Sequence, residues 1–83
     1  MKNKINDEML ENVSGGTLTQ EQALAQALKH AGLQQADHVS KIEMDWERGT
    51  KVWEIKFFQG GMEYEYDINA ETGAIMKFEK DWD

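Results

Sequence analysis

Cysteine is absent from the 83 residues. Disulfides, thiolate metal sites, thiol nucleophiles and redox motifs are therefore excluded, while the redox compartment stays open. Basic residues are scarce: 9 stand against 16 acidic ones, for a formal net charge of −7. With no basic stripe to displace counterions, nucleic acid is excluded as a partner, and anionic membrane surfaces are disfavoured. Long apolar runs are also missing, the longest being Ala23–Ala25 and Ala74–Met76. That excludes membrane insertion by a helix and the apolar core of a secretory signal. A chain this short buries only about 60% of its unfolded surface, so a fold without crosslinks has to rest on a small aromatic core.

The chain divides at Ser14-Gly15-Gly16. Residues 1–16 hold no aromatic residue. Ile5, Met9 and Val13 recur every fourth position with Leu10 beside them, a pattern that folds onto a partner groove but is too short to stay helical alone. This segment is expected to be disordered. After Gly16, Thr19 is expected to cap a helix, with Gln22 completing a capping box and Glu21 in the first turn. Leu24, Ala27, Leu28 and Ala31 make its apolar stripe, and Gly32 ends it.

From Val39 the period changes to two, and three strands follow. In these, Ile42, Met44 and Trp46, then Trp53, Ile55 and Phe57, then Tyr64, Tyr66 and Ile68 alternate with charged residues. Two-residue turns at Gly49-Thr50 and Gly60-Gly61 set a register in which Trp46 faces Trp53 and Phe57 faces Tyr64. A fourth strand over Ala74–Lys80 is expected, with Ile75 and the pair Met76/Phe78 at opposite parity, so that a bulge intervenes or both faces are covered. The expected fold is α+β in two layers, one N-terminal helix packed on a four-stranded antiparallel meander.

Residues 18–32, the hairpin after them, and Tyr64-Glu65-Tyr66-Asp67-Ile68-Asn69-Ala70-Glu71-Thr72-Gly73-Ala74-Ile75 closely resemble the PepSY domain. The family has an opening helix and a Tyr-x-Tyr-x-Ile-(Asp/Asn)-Ala-x-Thr-Gly-x-Ile ending. Asn69 stands where Asp is commoner and keeps the same local side-chain bonding. Residues 1–16 resemble the leaders of double-glycine peptides exported by bacteriocin-type ABC transporters. Ile5, Leu10 and Val13 occupy the apolar recognition positions, with Asp7, Glu8 and Glu11 between them and Gly15-Gly16 at the cleavage site. Only a slim backbone enters the slot of such a transporter's peptidase domain, which two glycines provide.

Together these resemblances imply a leader over residues 1–16 and a PepSY-like domain over 17–83. The precursor would be cytoplasmic, and the domain secreted or held at the cell surface once the exporter's peptidase domain cuts after Gly16. They further imply a domain that modulates or inhibits an extracellular peptidase. Val52 and Phe58, apolar residues on the charged face, are the candidate partner surface. Alternatives are a bacteriocin-like or signalling precursor and an unprocessed intracellular interaction domain. The first of these is opposed by charge, since residues 17–83 hold 7 basic and 13 acidic groups, net −6. The aromatic face reads as core, His30 as a helix C-terminal cation, and Asp45, Glu47, Glu79, Asp81 and Asp83 as a solvated acidic edge without the ligand spacing of a calcium loop. No catalytic constellation, cofactor site or metal site is expected, and the chain is not expected to be an enzyme.

Overall fold

The computed structural model describes residues 17–82. Helix α1 spans Gln20–Ala31 and is followed by strands β1 (His38–Glu47), β2 (Thr50–Gln59), β3 (Met62–Asn69) and β4 (Ile75–Trp82). The helix thus opens the domain and not the chain. Its start is the expected one: Thr19 Oγ1 accepts from the Gln22 N–H, and the Gln22 side chain accepts from the Thr19 N–H, so two otherwise unpaired donors are satisfied reciprocally. Gly32 ends it with φ at 78°, a left-handed conformation in which its N–H reaches the carbonyls of Leu28 and Lys29.

The strands form one antiparallel sheet in the order β1-β2-β3-β4. Between β2 and β3 the expected register is found, with Phe57 opposite Tyr64, Ile55 opposite Tyr66 and Trp53 opposite Ile68. Between β1 and β2 it is not. Trp46 lies opposite Lys51, and Trp53 meets Met44, because Arg48 and Gly49 make the turn with φ at 55° and 81°. Arg48 bears a left-handed conformation uncommon outside glycine, and the register moves by two residues from the one expected. An even slip leaves every side chain on its expected face.

Strand β4 runs two residues past Lys80, and a bulge settles its parity. Ile75 pairs with Ile68 and Lys77 with Asp67, so Met76 is the extra residue. Ile75 and Phe78 then share the helix side. A second bulge lies at Ser40, between the pairs Val39–Phe57 and Lys41–Lys56. The Ser40 hydroxyl donates to the Lys56 carbonyl there.

Helix α1 packs across β2 and β3, with Ala23 and Ala27 fully buried against Ile55, Phe57, Tyr64, Tyr66 and Ile68. Small residues let the helix lie close, and each large side chain so buried is worth about 1.5–3 kcal/mol in removal from water. Phe57 stacks on Tyr64 with ring centroids 5.0 Å apart, and Tyr66 on Phe78 at 4.9 Å. The turn after β3 is tied to the helix start. Asn69 Oδ1 accepts from the N–H groups of Glu71 and Thr72, the Leu18 N–H donates to the Ala70 carbonyl, and the Trp53 indole N–H donates to the Leu18 carbonyl. Gly73, at φ 81°, completes the turn beneath Leu18.

Candidate interaction surface

Among the described residues, one helix covers two strands and leaves the outer ones open. On β1 every residue from Glu43 to Glu47 is exposed, and on β4 every residue from Met76 to Trp82. Trp46, expected in the core, is 62% exposed, and Met44 is 38% exposed. On the far edge Phe78 is 43% and Trp82 78% exposed. All four stand on the helix side of the sheet but beyond the helix. Lys51 lies over the Trp46 ring at 5.5 Å, and Lys80 over Tyr64 at 5.6 Å, so lysine stems and charges border both aromatic flanks.

Pairing register places the acids on the opposite face. Glu43, Asp45 and Glu47 of β1, Glu54 of β2, Glu63, Glu65 and Asp67 of β3, and Glu79 and Asp81 of β4 share it with three lysines, Lys41, Lys56 and Lys77. Lys41 binds Glu54 at 2.9 Å, Lys56 binds Glu63 at 3.3 Å, and Lys77 approaches Glu79 at 3.9 Å. Among the described residues, Glu43, Asp45, Glu47, Glu65, Asp67 and Asp81 have no basic partner at ion-pair distance. The carboxylates of Asp45, Glu47 and Glu54 converge within 4.8 Å of one another. This crowding has an electrostatic signature. The charge of Asp67, then desolvation and the neighbouring carboxylates, raises Glu47 above the usual carboxylate range. Asp67 is itself raised, by burial first, with Glu54 and Glu65 adding and Lys77 opposing. Lys41 moves up from its ordinary value because Glu54 accepts its hydrogen bond.

The expected site residues fare unequally. Val52 is fully buried and offers no surface to a partner. Phe58 is half-buried and stacks on His38, with ring centroids 6.2 Å apart. The two therefore form no exposed apolar patch. Ile5, Leu10, Val13, Gly15 and Gly16 lie outside the described residues. His30, at the helix end, meets the Tyr66 hydroxyl through Nδ1 at 2.9 Å and packs edge-on against Phe78. Burial pushes the Tyr66 phenol up to about 12.

A signal for the exposed edges is present in the sequence. Lys41-Ile42-Glu43-Met44-Asp45-Trp46 and Lys77-Phe78-Glu79-Lys80-Asp81-Trp82 share Lys, Glu, Asp and Trp at the same spacing. One copy lies on each edge strand, and each follows its strand's bulge, at Ser40 and at Met76.

Among the described residues, a single helix on an open four-stranded meander, with both edges unpaired and charge gathered on one face, defines a small two-layer α+β domain. The chain belongs to the PepSY family: the family's model, the peptidase propeptide and YPEB domain, matches residues 17–79. It is also similar to an uncharacterized protein, Spy1430, of Streptococcus pyogenes serotype M6, 36% identical over 61 residues that make up 72% of this chain and 47% of that protein. The chain thus spans about half the length of this curated relative. No solved structure gives a significant match. The signature Asn69-Ala70-Glu71-Thr72-Gly73 has a physical basis here, since it is the turn that binds the helix start.

Proposed function

We propose that residues 17–83 form a non-catalytic binding domain that modulates or inhibits an extracellular peptidase, engaging it through an open strand edge. Membership of a family described by peptidase propeptides supports this reading, and the observation that carries it is the pair of edge strands that the described residues leave uncovered, each bearing an exposed tryptophan. A peptidase holds its substrate as an extended strand, and a sheet edge offers backbone donors and acceptors in that form without a freely cleavable chain. The spacing of Ile5, Leu10 and Val13 before Gly15-Gly16 supports export by an ABC transporter whose peptidase domain removes residues 1–16.

Two measurements test the reading. Residues 17–83 are titrated against peptidases secreted by the source organism, and inhibition or saturable binding is expected. The absence of both for every secreted peptidase overturns the peptidase partner. Intact mass of material secreted with the cognate exporter should show a chain beginning at Thr17, and recovery of only full-length protein overturns the processing.

A further inference from the structure

We infer that both sheet edges are acceptor sites for the same kind of occupant, an extended peptide that alternates basic and apolar residues, so that one domain takes two such segments. This rests on the binding-domain reading and specifies its contact.

Backbone geometry gives the first support. Glu47 and Thr50 flank the two-residue turn and so form a hydrogen-bonded pair. Alternation then directs the backbone groups of Lys41, Glu43 and Asp45 toward β2, and those of Ile42, Met44 and Trp46 outward. The Trp46 N–H behaves as an outward donor, for it is taken up by the Asp45 carboxylate at 2.8 Å. On β4 the same alternation starts from the Asn69 N–H bond to the Ala74 carbonyl. Corrected for the extra residue Met76, it turns Phe78, Lys80 and Trp82 outward. Both edges therefore offer a regular acceptor stretch on the C-terminal side of a bulge.

Side-chain chemistry names the occupant. A strand added to either edge places alternate residues beside Glu43 and Asp45, or beside Glu79 and Asp81, on the acidic face. Those positions favour Lys or Arg. Its other residues lie beside Met44 and Trp46, or beside Phe78, Lys80 and Trp82, and favour apolar groups, which also pack on the Lys80 stem. A second copy of this domain suits the edges poorly. Pairing the motifs antiparallel so that their lysines meet aspartates sets Glu43 against Glu79, and each copy brings its own acidic face. The repeated Lys-x-Glu-x-Asp-Trp pattern gives the two edges the same acidic pair, tryptophan position and bulge, with Lys80 standing on β4 where Met44 stands on β1.

The test uses residues 17–83, after a cooperative melt has shown that this part folds, and an octapeptide alternating Lys and Val. Calorimetry should give two peptides per domain, with amide shifts at Ile42, Met44 and Trp46 and at Phe78, Lys80 and Trp82. Proline at an outward position deletes an edge donor and spares the existing ladder. Met44→Pro and Lys80→Pro should each leave one site, and the double variant none. Glu43→Lys with Glu79→Lys keeps the backbone intact and should transfer binding to an octapeptide alternating Glu and Val. No binding of the Lys–Val peptide, binding with shifts confined to other strands, or a concentration-dependent dimer without peptide binding overturns the inference. Unchanged peptidase inhibition by a folded Met44→Pro, Lys80→Pro variant overturns the edge contact while leaving the peptidase reading standing. Two-site peptide binding without any peptidase inhibition does the reverse.

Discussion

The centre and the margins of this sheet are built from the same kind of strand and reach opposite ends of the burial scale. Phe57 and Tyr66, on β2 and β3, are fully buried, whereas Trp46 and Trp82, on the same face of β1 and β4, are largely exposed. The difference is one of width. A helix with its side chains is about 10 Å across, and strands lie about 4.8 Å apart, so α1 spans two strands and no more. Alternation reports which face a residue takes. Cover depends on what lies above it.

That contrast breaks most visibly at its centre. Phe57→Ala opens a cavity beneath the helix and between two stacked tyrosines, and should cost about 3–5 kcal/mol in a urea melt. A loss near that of a surface substitution would mean that the packing lies elsewhere. The turn that anchors the helix should matter next. Asn69→Ala removes the acceptor of two backbone N–H groups and should cost about 1–2 kcal/mol, with Asn69→Asp largely restoring the melt.

The acidic face sharpens the comparison through pH. Asp67 and Glu47 are raised, so the folded state binds more protons than the unfolded one just above the ordinary carboxylate range. Stability should then fall as pH rises from about 4 through their raised values. Asp67→Asn should flatten that slope, and thermal melts across the range would show it. The smallest effect is expected at the margins: Trp46→Ala and Trp82→Ala should each change stability by no more than about 0.5 kcal/mol. A loss of several kcal/mol at either would show that the edge is covered.

Much of this was readable from residues. Thr19 and Gln22 announced the capping box, Gly60-Gly61 set the β2–β3 register, and period-two alternation assigned both faces. The β1–β2 register was not readable from facing, because a two-residue slip preserves it. Only the willingness of Arg48 to take a positive φ decides between the turns Arg48-Gly49 and Gly49-Thr50. The exposure of Trp46 was hidden for a different reason: its pattern matches that of Trp53, and only the placement of α1 separates them. Val52 breaks the polar face as a surface residue would, yet lies among Asp45, Asn69 and the adjoining turn positions and is covered.

The bond from Leu18 to Ala70 joins residues more than fifty positions apart, within two residues of the proposed cut after Gly16. A peptidase that reads an extended backbone needs slack on both sides of the bond it breaks. Once the domain has folded, Leu18 is held through both its N–H and its carbonyl, and that slack is gone. On the proposed reading, processing and folding would therefore compete in time. A nascent or unfolded chain would then be the better substrate, and variants that loosen the Asn69 turn should be cut faster than wild type even though the cleavage sequence is unchanged.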